Sequence, residues 1–199
     1  MPVLPAKPFY LLRHGETVTN ALGLMTGGSD PEVNGVGVAQ AESTASWIGD
    51  ITLKPSLIVR SDRSRTKFTA ETINKNLNVP IHIEPALDEH NFGDWIGMPY
   101  EEAKKRTFIN NETPPNGESF DVFTQRIQAI MTKILNTYND PVLFVGHGGT
   151  FRAIAKMYNK PLWGSKNCQL HYFEPIQRED FPWQVTQFMS DKQTKVLEI

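Results

Sequence analysis

Cysteine is almost missing from this chain: Cys168 stands alone among 199 residues. No internal disulfide can form, which suits a reducing compartment. Long apolar runs are also missing, and none approaches the roughly 18 residues that a membrane-spanning helix requires. The N-terminal stretch from Met1 to Pro8 is broken by prolines and too short in its apolar part for a secretory signal. These absences predict a cytoplasmic protein with no membrane partner. Net charge is nearly lacking as well: 20 basic against 22 acidic residues leave a formal charge of -2. That balance excludes general binding to nucleic acid, so positive charge has to be read site by site. There is no internal repeat and no low-complexity tract. What remains is ordinary for a soluble enzyme, with 39% hydrophobic and 21% charged residues. The length suits a single domain, 1–199, large enough to bury a real core.

Apolar runs and helical spacings alternate along the chain. Phe9 to Arg13 reads as a strand, followed by a helix beginning near Glu16. Asn34 is placed to cap a helix from Gly35 to Gly49, with Val38, Ala41, Ala45 and Ile48 at helical spacing. Pro55 to Arg60 reads as a second strand. Ser61 or Asp62 is then expected to cap a helix that carries Phe68, Ala70, Thr72 and Ile73 and ends near Asn76. Val79 to Ile83 forms a brief third strand. Residues 87–117 are irregular around a polar helical piece from Tyr100 to Phe108, and read as a cap or lid insertion. Ser119 to Leu135 is a strong amphipathic helix, with Val122, Phe123, Ile127, Ile130, Met131 and Ile134 on one side. Pro141 to Val145 is a fourth strand, and Gly149 to Tyr158 a helix after it. His171 to Phe173 and Trp183 to Phe188 read as late strands at a hairpin-like edge. This order predicts a three-layer αβα sandwich with a mostly parallel sheet and helices on both faces.

The chemistry sits where strands end. Arg13-His14-Gly15-Glu16-Thr17 and Gly146-His147-Gly148-Gly149-Thr150 each carry an apolar strand into a histidine beside glycine. Ligands collect at the carboxyl ends of strands in such sheets. Gly15 is expected to let the backbone approach a ligand closely, and the next helix to point amides at an anion. Arg13 offers a planar fork of donors that matches phosphate oxygens. His14, with one ring nitrogen held by a backbone carbonyl, becomes a nucleophile able to take a phosphoryl group. Two strand-end histidines among only five in the chain make coincidence unattractive. Ser61-Asp62-Arg63-Ser64-Arg65 delivers an arginine, Arg65, from a helix first turn to the same edge. In Leu87-Asp88-Glu89-His90, a carboxyl near Phe92 and Trp95 is expected to have a raised pKa and to protonate a leaving alcohol.

Other motifs fail. Gly35-Val36-Gly37 has no preceding strand and has Gln40 where a dinucleotide loop needs a third glycine. No histidine pair has zinc-site spacing, and Ser119 lacks the glycine-flanked elbow of a hydrolase nucleophile. The expectation is a site with no metal and no cofactor.

Together these segments resemble the histidine phosphatase superfamily, the phosphoglycerate mutase-like proteins, over nearly the whole chain. Arg13-His14-Gly15-Glu16-Thr17 matches the family signature, with Asn20 downstream. Asn34, Gly37, Gln40 and Ala41 match the next segment, and Ser61, Arg65, Thr69, Ala70 and Glu71 the one after. Leu87, Glu89, Phe92, Gly93, Trp95 and Gly97 match the acid-bearing loop, and Gly117-Glu118-Ser119 and Gly146-His147-Gly148-Gly149 the remainder.

The resemblance implies a metal-independent phosphate monoester hydrolase that acts through phosphohistidine on a small phosphorylated metabolite. By it, His14 attacks phosphorus, while Arg13, Arg65 and His147 hold the equatorial oxygens. Asn20, Thr26, Gly27 and Gly148 complete the phosphate and substrate pocket, and Glu89 is the acid. The chain departs from the family at Arg63, usually apolar, at Phe68, often glutamine, and at Glu32-Val33, usually proline-leucine. The first departure leaves open whether Arg63 or Arg65 faces the pocket.

Two alternatives follow. Met25-Thr26-Gly27 resembles the mutase substrate loop, which keeps phosphoglycerate mutase-type transfer in view. The mutases, however, carry a long basic insertion, and here only Lys104, Lys105 and Arg106 fall in that interval. A catalytically silent binding module is the other alternative, and the presence of every motif residue argues against it. Phe92, Trp95, Met98, Tyr100 and Phe108 are read either as an aromatic mouth or as the core of the cap.

Overall fold

The computed structural model describes residues 3–190 and 193–199. Seven strands form one sheet: β1 (Phe9–Arg13), β2 (Leu57–Arg60), β3 (Ile81–Ile83), β4 (Val142–Gly146), β5 (Leu170–Pro175), β6 (Trp183–Phe188) and β7 (Thr194–Leu197). Their order across the sheet is β3-β2-β4-β1-β5-β6-β7. The first four run parallel, and β5, β6 and β7 extend the sheet antiparallel. Every residue of β2 and β4 is buried, as expected for central strands covered on both faces.

Alternation along the strands divides two apolar layers. Phe9, Leu11, Val59 and Phe144 face one layer with α5 (Phe120–Thr137) and α6 (Gly148–Met157). Tyr10, Leu12, Ile58, Leu143 and Val145 face the other, against α2 (Gly35–Ile48) and α3 (Ser64–Leu77). The predicted three-layer architecture is the observed one.

A third, smaller cluster of Met25, Phe92, Trp95 and Ala103 lies in the segment above the sheet edge, beside α4 (Tyr100–Phe108). Loop 23–25 is stitched to it through Met25 N to Met98 O, Gly97 N to Met25 O and Tyr100 N to Gly23 O.

The structure corrects several local expectations. The helix expected near Glu16 is a single turn, α1 (Val18–Ala21), capped by Thr17 in a reciprocal box with Asn20. Thr17 N and Asn20 N are taken up by that box and Val18 N by Glu32 O, so these amides are not offered to an anion. Neither Ser61 nor Asp62 caps α3. Arg63 occupies that position without a side-chain cap, and Asp30, remote in sequence, accepts from Ser64 N at 2.9 Å and 3.1 Å. Val122 is 52% exposed, because it falls off the buried stripe of α5. The final strand β7 was not anticipated: its lysine-bearing, exposed sequence has no apolar alternation to announce it.

Candidate active site

β1 and β4 are hydrogen-bonded neighbours with Arg13 opposite Gly146. The next residue on each strand is a histidine, so His14 and His147 leave the sheet at the same level. His14 N donates to Gly146 O at 3.0 Å, and the two rings lie 5.4 Å apart, centroid to centroid. Both are fully enclosed.

The backbone fixes the proton on His14. Nδ1 lies 2.7 Å from Gly15 O, and a carbonyl only accepts, so Nδ1 carries the hydrogen and Nε2 keeps its lone pair. Burial, followed by the charges of Arg65 and Arg13, holds its pKa well below the ordinary histidine value. A neutral imidazole with a free Nε2 is what nucleophilic attack requires. Gly15 itself serves another purpose than the expected close approach to a ligand. A Cβ there would lie 2.7 Å from Gly37 O, so the glycine lets this turn pack directly on the start of α2.

Two guanidiniums flank the imidazoles. Arg13 Nη1 donates to Ser165 O at 2.9 Å, while its Nε is buried without a partner. Arg65 is completely buried. Its Nη1 donates to Ser29 O at 2.6 Å and its Nη2 lies 3.3 Å from His147 Nδ1; here too Nε has no partner. Arg63, two residues away, turns out of the site and makes a bidentate pair with Asp88. The question of Arg63 or Arg65 is thereby resolved in favour of Arg65 as the pocket residue.

His147 accepts at Nδ1 from Arg65 and donates from Nε2 to Ser61 Oγ at 2.8 Å. Burial, then Arg65, His14, Arg63 and Arg13, push its pKa well down. Asp88 Oδ1 lies 3.7 Å from the same Nε2 and accepts from Glu89 N at 2.8 Å. One carboxylate thus touches the second histidine, the loop that carries the acid, and Arg63.

Glu89 lines the same pocket as Arg13, Arg65 and Phe92, while Trp95 sits back in the cap's cluster. Glu89 Oε1 accepts from Gly149 N at 3.1 Å and His90 N at 2.9 Å. The first of these bonds explains Gly149, where a Cβ would sit 2.1 Å from Glu89 Oε1. Arg126, from the middle of α5, holds the loop from behind through the carbonyls of Ala86, Asp88 and Glu89.

Asn20, Thr26, Gly27 and Gly148 line the same pocket. Asn20 Oδ1 accepts from Thr17 N and Asn167 Nδ2, and Thr26 Oγ1 pairs with Thr19 Oγ1 at 2.7 Å. Phe92, Tyr100 and Phe108 line the pocket and also belong to or pack against the cap's own cluster, whereas Trp95 and Met98 serve the cluster alone. The two expected roles therefore overlap in the first three residues.

Sequence reasoning missed Asp88, Arg126 and Arg152. Arg152 was signalled by its place four residues after Gly148 on a helix that starts at the site. The partners of the other two depend on a loop that sequence spacing does not position.

Two enclosed histidines at paired strand ends, flanked by guanidiniums and faced by a carboxylate, define an α/β protein built to handle a phosphoryl group. The chain belongs to the histidine phosphatase superfamily (branch 1), whose family model matches residues 9–174. It is 36% identical over 145 residues to the uncharacterized phosphatase PhoE of Bacillus subtilis, covering 72% of this chain and 73% of that protein. Identity to the adenosylcobalamin/alpha-ribazole phosphatase of Salmonella typhimurium is 30% over 169 residues, 77% of this chain and 82% of that one. The metal-independent phosphoserine phosphatase of Arabidopsis thaliana is 34% identical over 156 residues, 72% of this chain and 65% of that one. In fold, a mycobacterial glucosyl-3-phosphoglycerate phosphatase superposes with a TM-score of 0.74 at 22% identity, over 91% of this chain and 97% of its own.

Proposed function

We propose that this protein hydrolyses a small phosphate monoester through a phosphohistidine intermediate, without a metal or cofactor. The observation that carries the reading is the pair of neutral, buried imidazoles 5.4 Å apart, set between Arg13 and Arg65 and opposite Glu89. His14 Nε2 attacks phosphorus and forms the N–P bond as the ester O–P bond breaks. Glu89 gives its proton to the departing alcohol. A water then loses a proton to Glu89 and attacks the phosphoryl group, the N–P bond breaks, and inorganic phosphate leaves with His14 restored. Arg13 and Arg65, already desolvated, offer preorganised charge to the equatorial oxygens of both transition states. His147 Nδ1 has no hydrogen to offer while it accepts from Arg65, so it donates to a phosphate oxygen only after taking up a proton there, which an ester bound as its monoanion supplies as it becomes the dianion. The Asp88 carboxylate near Nε2 stabilises the resulting imidazolium.

The space open to a water-sized sphere inside the pocket is about 50 Å³, room for a phosphoryl group between the guanidiniums and the cap rather than for a protein segment. In this reading 1–199 is one domain and 87–117 is its cap. The relatives named above as phosphatases support hydrolysis over mutase-type transfer, and so does the fate of the basic run on α4. Lys104 pairs with Glu101, and Arg106 binds Glu112 and stacks on Trp95 at 4.1 Å. Neither of these side chains lines the pocket. Cys168 is buried, its thiol pushed up to about 12. A protonated, inert thiol accords with the cytoplasmic setting we assign.

The test is turnover of an aryl phosphate in chelating buffer, together with mass-spectrometric trapping of phosphoenzyme in Glu89→Gln. We expect hydrolysis by the wild type and a phosphorylated His14 peptide in the variant, because an aryl leaving group departs without the acid. Turnover that requires an added divalent ion, or a label on another residue, overturns the assignment.

A further inference from the structure

The glycine that lets the turn after β1 pack on α2 also leaves that turn with a weak point. Gly15 has no Cβ to oppose rotation of the peptide that follows it, and that peptide carries the carbonyl facing the His14 ring. The Gly15–Glu16 peptide is planar and trans, so its C=O and its N–H point in opposite directions. Gly15 O accepts from His14 Nδ1 at 2.7 Å, and on the far side Glu16 N donates to Gln40 Oε1 at 3.0 Å. Gln40 stands half-buried in the second turn of α2.

The peptides on either side are pinned by other residues. Gly15 N donates to Thr69 Oγ1 at 3.0 Å and His14 O accepts from Asn167 Nδ2 at 2.8 Å, which fixes the preceding one. Glu16 O accepts from Asn34 N at 2.9 Å, which fixes the following one. Among the described residues, Gln40 is the one group besides His14 that hydrogen-bonds the peptide between them. The consequence falls on the ring. Nε2 of His14 is bare only while Nδ1 keeps the hydrogen, and the carbonyl of Gly15 is what keeps it there. A bond at the N–H end of a peptide also polarises its carbonyl and strengthens it as an acceptor. Peptide and side-chain amide together do here what a carboxylate does behind the histidine of a serine hydrolase.

We propose that Gln40 is a positioning residue for the nucleophile: through the Gly15–Glu16 peptide it holds His14 in the tautomer with hydrogen on Nδ1. What the nucleophile then does rests on the phosphatase reading, but the tautomer can be read in the resting protein without substrate.

The experiment records the two-bond couplings between ring hydrogens and ring nitrogens in protein labelled with nitrogen-15 histidine. It is run near neutral pH, where burial keeps His14 uncharged, and His14 is assigned by its absence from the His14→Ala spectrum. Wild type should show hydrogen on Nδ1 alone. Gln40→Met fills a similar space without an acceptor for Glu16 N, and should show exchange between the Nδ1–H and Nε2–H forms. Loss of one neutral hydrogen bond predicts a fall in kcat of about three- to tenfold, while the Kd for inorganic phosphate stays within about twofold. Gln40→Glu returns an acceptor and should restore the single tautomer and most of kcat. Should Gln40→Met not fold, Gln40→Asn, one methylene too short to reach Glu16 N, takes its place.

A single Nδ1–H form retained in the variant overturns the proposal. So does a phosphate Kd that weakens in step with kcat, or a mixed tautomer that Gln40→Glu leaves mixed. If the tautomer moves as expected in a protein that hydrolyses no aryl phosphate, the hydrolase reading fails while the role of Gln40 stands.

Discussion

The floor and the roof of the pocket are built by opposite means. The floor is the end of a parallel sheet: His14 and His147 leave two adjacent, hydrogen-bonded strands, and Arg65 is sealed in the first turn of α3. Its groups are held by backbone carbonyls and by one another, with no freedom to adapt. The roof is the cap, with a four-residue cluster of its own, and its pocket-facing residues are the aromatic rings of Phe92, Tyr100 and Phe108. The chemistry of phosphoryl transfer, common to every substrate, is placed where the fold is stiffest. In the proposed reading, selection of the alcohol falls to the cap, whose own cluster is the smaller one.

The comparison breaks most decisively at the floor. His14→Ala removes the proposed nucleophile and should lower kcat by about four to six orders of magnitude, read with an aryl phosphate. Retained turnover would mean that the attacking group is another residue or water itself. Arg65→Met keeps the bulk of the stem but removes charge developed against the transition state. We expect a loss of roughly 10²- to 10³-fold, mainly in kcat, and a loss confined to KM would show that Arg65 binds ground and transition states alike.

The roof should answer differently. Trp95→Ala empties the centre of the small cluster and removes the platform of Arg106. It should cost about 3–5 kcal/mol of stability in thermal or denaturant unfolding. It should also raise KM for bulky esters more than it lowers kcat for an aryl phosphate. Equal loss in both would mean that the cap shapes the floor.

The smallest expected effect lies at the seam between them. Arg63 lowers the pKa of His147 by its charge and also occupies Asp88. In Arg63→Met both influences relax, so the His147 imidazolium persists to higher pH. Arg65, Arg13 and His14 still face the ring and keep its pKa below normal. The alkaline limb of the kcat/KM profile should move upward by a fraction of a pH unit, and Arg63→Lys should restore it. An unmoved limb would show that Arg63 serves the loop alone.

The family, the layered fold, the two strand-end histidines and the arrival of Glu89 at the same pocket were readable because each depends on local pattern. A buried parallel strand writes itself as an unbroken apolar run, and a glycine beside a histidine marks where it ends. Periodicity along α3 cannot choose between Arg63 and Arg65, two residues apart, since it carries no information about what each will meet. Asp88 opposite Arg63, and Asp30 as the remote cap of α3, decided that choice. The same limit hid Arg126 behind the acid loop and Arg152 over Gly148, and it assigned Gly15 to a ligand when its neighbour was Gly37. Sequence by itself determined which chemical groups arrive at the sheet edge, because strand and helix periods are local physics. Which of them are neutral, which are paired and which are left facing the substrate was decided only by tertiary structure. Charge and hydrogen bonding depend on neighbours that the chain brings together from far apart.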